Sequence, residues 1–126
     1  MKRFLLICVT SLALFSFTFF SGISDVIGAL KAGNSSSMAR FFDNTVEITL
    51  PEKSSSYSKS QAEIILSDFF ANNPVKGFTV IHQGDNAGSQ YCIGTLATKN
   101  ASYRTTIYMK QKGDKQLLQE IRLENK

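Results

Sequence analysis

From residue 77 to residue 124 the chain consists of four segments in which apolar and polar residues alternate, separated by three short turn signals. Alternation with period two marks a strand with one covered and one solvated face. The segments span residues 77–83, 90–98, 103–111 and 116–124. Gly84-Asp85-Asn86-Ala87-Gly88, Lys99-Asn100-Ala101 and Gly113-Asp114 separate them, and glycine reaches the positive φ of a tight hairpin at low cost. Connections this short join antiparallel neighbours, because a parallel crossover needs a dozen residues or more. The result is a meander whose covered face requires a second layer.

That layer is written immediately upstream. Ala62, Ile65, Leu66, Phe69 and Phe70 recur at helical spacing and form one broad apolar stripe. Ser58 and Gln61 have capping-box spacing, Tyr57 and Ala62 are placed for a hydrophobic staple, and Pro74 ends the run by disfavouring the helical conformation at Asn73. Earlier, Ile23, Val26, Ile27 and Leu30 predict a short helix stopped by Gly33-Asn34. Ser35 to Ser37 can cap a second helix with Met38, Phe41 and Phe42 on its apolar side. Thr45-Val46-Glu47-Ile48-Thr49-Leu50 alternates as a strand up to Pro51, and residues 52–56 read as a polar loop or ragged edge. The expectation is an α+β domain, α-α-β-α-β-β-β-β, with three helices in the N-terminal half packed on a curved antiparallel sheet.

The first 22 residues stand apart. Lys2 and Arg3 precede an apolar run from Phe4 to Phe20, the pattern of a secretory signal. The run has no polar face for a core helix and falls short of the roughly 20 apolar residues of a membrane anchor. Residues 1–22 are read as a signal peptide cut between Thr18 and Gly22, residues 23–126 as a single domain, and the destination as the periplasm or cell envelope. Without them the 14 basic groups fall by two against 10 acidic ones, a formal charge of +2, and the remaining bases are scattered. Only Lys110, Lys112 and Lys115 cluster, as a solvated hairpin tip, so nucleic acid is not an expected partner. Cys92 is the one thiol after residue 22, which excludes an internal disulfide, and its apolar strand suits an inert buried thiol.

The order of elements, with Arg40-Phe41-Phe42-Asp43-Asn44-Thr45-Val46-Glu47 after two short helices, resembles the nuclear-transport-factor-2-like (NTF2-like) cone fold. Five stretches resemble, more narrowly, a family of short exported bacterial proteins known as domain of unknown function 4783. They are Phe41-Phe42-Asp43, Tyr57-Ser58-Lys59-Ser60-Gln61-Ala62, Asp68-Phe69-Phe70, Phe78-Thr79-Val80-Ile81-His82-Gln83-Gly84 and Tyr91-Cys92-Ile93-Gly94-Thr95-Leu96. The resemblance covers nearly all of the chain beyond residue 22 and implies the fold, but it brings no assigned activity. Cone folds host isomerases, dehydratases and binding domains alike.

Two residues are acid–base candidates. His82, the single histidine, shares a strand face with Phe78 and Val80 if alternation is unbroken, which would aim it into a pocket under the helices. The simpler reading is a strand-end histidine bonded to a neighbouring loop. Asp68 lies at the edge of the helical stripe, where burial would raise its pKa. Asp43 reads as a turn residue, and Glu47 faces away from Val46, Ile48 and Leu50. No metal-ligand spacing, phosphate loop or nucleophile elbow is present, so no metal or cofactor is implied. Phe41, Phe69, Phe78, Tyr91 and Tyr103 would fill the core or, were it incompletely filled, line an apolar ligand pocket.

The reading is a non-enzymatic exported domain that binds a small apolar ligand or an envelope protein. The alternative is a small isomerase or hydrolase with His82 and Asp68 as acid and base, which requires both in one cavity. A homodimer through the open sheet face, using Tyr103, Arg104, Thr105 and Tyr108, is the expected assembly.

Overall fold

The computed structural model describes residues 22–126, so the expected signal segment lies outside the described residues except for Gly22. Helices α1 (Ile23–Lys31) and α2 (Ser35–Ala39) are followed by strands β1 (Phe42–Thr49) and β2 (Ser54–Ser58), helix α3 (Lys59–Asn72), and strands β3 (Val75–Asn86), β4 (Ser89–Thr98), β5 (Ser102–Lys112) and β6 (Lys115–Asn125). The three helices pack against one face of a curved, unclosed six-stranded sheet with order β2-β1-β6-β5-β4-β3. No described helix is long and apolar enough to cross a membrane.

The helix ends follow their expected chemistry. The Gln61 N–H donates to Ser58 Oγ, and Asn73 closes α3 by donating its backbone N–H and its side-chain amide to the Phe69 carbonyl. Gly33, at φ 63°, turns the chain out of α1. The start of α2 is capped by Asn34 rather than by a serine, its Oδ1 accepting from Ser37 N–H at 3.0 Å. Phe42 departs from expectation. It opens β1 instead of closing α2, and it is buried against the sheet.

Two corrections concern the sheet. Residues 54–56, expected as part of a loop or ragged edge, form β2 together with Tyr57 and Ser58, and this strand pairs antiparallel with β1 from Thr45↔Ser58 to Thr49↔Ser54. Its exposed serines give no alternation from which a strand could be read. The sheet is also not wholly antiparallel, because β1 runs parallel to β6. The connection from β2 to β3 carries α3 and leaves these two strands running the same way; β3 to β6 then alternate, so β6 returns alongside β1 in the same direction.

The core lies between helices and sheet. Val26 and Leu30 of α1, Met38 of α2 and Leu66 of α3 meet Cys92, Leu96, Ile107, Ile121 and Leu123, all fully buried. Gly94 of β4 lies hard against its neighbour β3. A Cβ there would lie 2.6 Å from Phe78 Cζ and collide with the Thr79 carbonyl, so the Phe78 ring occupies the space a side chain would need.

Register breaks occur at four places in the sheet, and those at Val80/His82 and Tyr108/Met109 change the expected faces. Val80 pairs with Gly94 but His82 pairs with Ile93, so β3 advances two residues where β4 advances one. In β6, Leu118 pairs with Met109 and Glu120 with Tyr108, leaving Gln119 unpaired. The second bulge puts Leu118 on the buried face with Ile121 and Leu123, whereas strict alternation set it opposite them.

Candidate functional site

The bulge in β3 decides where His82 points. Residues directly opposite in an antiparallel pair share a face. Ile93 belongs to the face away from the helices, with Tyr91 and Thr95, while Cys92 and Leu96 are buried beneath them. His82 therefore stands on the outer face. Its ring lies 5.6 Å from that of Tyr91; one extra residue in the strand turns it away from the inward position that unbroken alternation would give, and it sits within β3 rather than at a strand end. Asp68 remains on α3, exposed, on the helix side of the sheet. The two side chains line different clefts, so they do not form an acid–base pair about one substrate.

The helix-side cleft, about 370 Å³, lies between α3 and the β1–β2 turn, with Phe69 and Tyr103 below and Glu52, Lys53 and Asp68 around it. Phe69 and Tyr103 pack edge to face at 5.2 Å, and the Tyr103 hydroxyl donates to Asn73 Oδ1 at 3.0 Å. The other aromatics expected at a pocket are dispersed. Phe41 borders a groove between α1 and α2, and Phe78 is buried over Gly94. Tyr91 lies on the outer face, its ring across Gly84 of β3.

The outer cleft is more apolar in character. It measures about 460 Å³ and is formed by Ile81 and His82 of β3, Ile93 and Thr95 of β4, Arg104 of β5 and Lys126 after β6. Ile81 is 65% exposed, an uncommon position for a large apolar side chain. Lys126 Nζ donates to Thr95 Oγ1 at 3.1 Å. The strand register puts Glu124 opposite Arg104, yet the Glu124 carboxylate lies 3.5 Å from Arg122 instead. Among the described residues neither Arg104 nor Lys126 forms an ion pair. Alternation could have placed Ile93, Thr95 and Arg104 together, whereas Ile81 and His82 join them only through the bulge.

Tyr103 and Thr105, expected on the open face, are buried under the helices, because they share the inward parity of Ile107 and Met109. The outer face of β5 carries Arg104, Thr106, Tyr108 and Lys110. Cys92 is fully buried, and loss of solvation pushes its thiol pKa up. Among the described residues no three His, Cys, Asp or Glu side chains gather as a metal site would need.

One polar cluster escaped sequence reasoning. Asp43 Oδ2 lies 2.6 Å from Lys112 Nζ and accepts from Gln119 Nε2 at 2.7 Å, while Oδ1 accepts from Asn44 N–H. Lys112 foremost, then Gln119 and Asn44, hold the Asp43 carboxyl at about 2, against the opposing effect of its burial. Gln119 is the bulged residue of β6 and Lys112 belongs to the hairpin tip expected to be solvated. The cluster ties the start of β1 to the β5–β6 hairpin.

Helices on one face of a strongly curved, open sheet make this an NTF2-like cone domain. The chain belongs to the family described as domain of unknown function DUF4783, which it matches over residues 23–124. It is similar to a DUF4783 family protein from Bacteroides uniformis, with 32% identity over 82% of this chain and 95% of that one, TM-score 0.79. A DUF4783 family protein from Bacteroides fragilis gives 33% identity over 81% and 96%, TM-score 0.77. An NTF2-like protein of unknown function from Cytophaga hutchinsonii shares the fold alone, at 8% identity over 80% and 83%, TM-score 0.58. No curated protein sequence matches the chain.

Proposed function

We propose that this is a non-enzymatic binding domain, exported to the periplasm or cell envelope, that holds a small apolar ligand on the outer face of its sheet. The observation that carries the reading is the outer cleft itself, with an apolar floor of Ile81 and Ile93 on the face away from the helices. Its volume lies within the roughly 300–1,000 Å³ common for small-molecule sites. The separation of His82 from Asp68 supports binding over acid–base catalysis. The basic and apolar segment at residues 2–20 supports export.

Native mass spectrometry of the protein recovered from the envelope, made with residues 1–22 in place, tests this reading. A small molecule carried by the wild type and by Asp68→Asn, but lost from Ile81→Asp, supports it. Retention by Ile81→Asp with loss from Asp68→Asn would move the site to the helix-side cleft. A mature mass that still includes residues 1–22 would argue for a tethered protein.

A second reading, a homodimer through the same face, is favoured by the charge pattern. Glu47 and Glu120 form one cross-strand row, and Thr49 and Arg122 form the next. A two-fold axis between these rows would set Glu120 against Arg122 of the other copy in both directions, as an isologous interface requires, and Glu47 against Thr49. Sedimentation velocity reads this directly. Glu120→Arg alone should weaken the dimer and Glu120→Arg with Arg122→Glu should restore it; a monomeric wild type would end this reading.

A further inference from the structure

We propose that the ligand of the outer cleft is an amphipathic carboxylate, its chain along Ile81 and Ile93 and its head group between Arg104 and Lys126. The inference rests on the reading of the outer face as the binding surface and gives that ligand a chemical class. The floor of the cleft is apolar, and the charged side chains that line it, Arg104 and Lys126, are both basic, with His82 beside them and no acidic side chain in the lining. In the sheet register Arg104 faces Glu124 on β6 and Thr95 on β4. Glu124 is the one acidic side chain placed to neutralise Arg104, and its contact is with Arg122 at 3.5 Å. Arg104 is thereby left with an unengaged guanidinium, whose planar fork matches a carboxylate through two parallel N–H bonds. The Lys126 ammonium is steadied over the cleft by Thr95 Oγ1 at 3.1 Å and keeps further N–H donors for the same anion. Cations beside exposed apolar carbons suit a molecule with both features, whereas an uncharged hydrocarbon would leave the cations unanswered and a bare anion would leave Ile81 in water.

Isothermal titration of the purified protein with decanoate and with decanol, below the concentrations at which either aggregates, tests the assignment. One decanoate per chain is expected, with decanol about tenfold weaker. Arg104→Gln should lower decanoate affinity about tenfold and leave decanol binding unchanged, and Arg104→Lys should recover part of the loss. Arg104 is exposed, so these variants should keep the wild-type melting temperature; Lys126→Gln supplies the same test from the other side of the cleft. Equal affinity for decanoate and decanol, or unchanged decanoate affinity in both charge variants, would overturn the carboxylate assignment. If decanoate does not bind at all, the carboxylate assignment is also lost. Decanol then separates the two readings: decanol binding that is lost from Ile81→Asp keeps the outer cleft as an apolar site, and no decanol binding removes that reading as well.

Discussion

Single residues set the limits of this domain more sharply than their types suggest. Gly94 and Gly28 make opposite predictions for the same substitution. Gly94→Ala would push a methyl into Phe78 and the Thr79 backbone, and should cost about 1–3 kcal/mol in urea denaturation. Gly28→Ala meets nothing within 4 Å on the exposed side of α1, and should stabilise by about 0.5–1 kcal/mol through helix propensity and the less flexible unfolded chain. Cys92 should react with an aromatic disulfide reagent only as fast as the protein opens, because its thiol is buried and its pKa raised. Rapid labelling of the folded protein would contradict its placement. The burial of Cys92 was legible in its alternating strand. The direction of His82 was not, since a bulge changes face without leaving any mark in residue type.

At the scale of elements, the Asp43 cluster fastens β1 to the β5–β6 hairpin. The Asp43 pKa is about 2 when folded and 3.8 ordinarily, so the folded state binds the proton less readily than the unfolded chain. Its contribution is complete above about pH 4 and is lost as pH falls towards 2. Urea midpoints across this window should fall less steeply for Asp43→Asn than for the wild type; equal slopes would mean that the Lys112 contact has no weight in solution. Helix α3 was readable because its apolar spacing, cap and stop agree, and α1 because its apolar spacing ends at a glycine stop. Strand β2 was not, because Ser54-Ser55-Ser56 has no covered face and is held in place by pairing with β1 alone. The parallel partnership of β1 and β6 was likewise hidden, since alternation reports faces and carries no information about neighbours.

For the whole molecule, the α+β class and the cone-like order followed from one amphipathic helix before a four-strand meander. The candidate site did not follow, because it is assembled from four strands through a bulge. Two sides of the sheet offer clefts of comparable size, and we propose binding at the outer one, where apolar carbon and unengaged positive charge coincide. Amide chemical-shift mapping during a decanoate titration tests that claim most directly. Shifts confined to Ile81, His82, Ile93, Thr95 and Arg104 are expected. Shifts centred on Leu50, Asp68, Phe69 and Tyr103, with the outer strands unmoved, would contradict it.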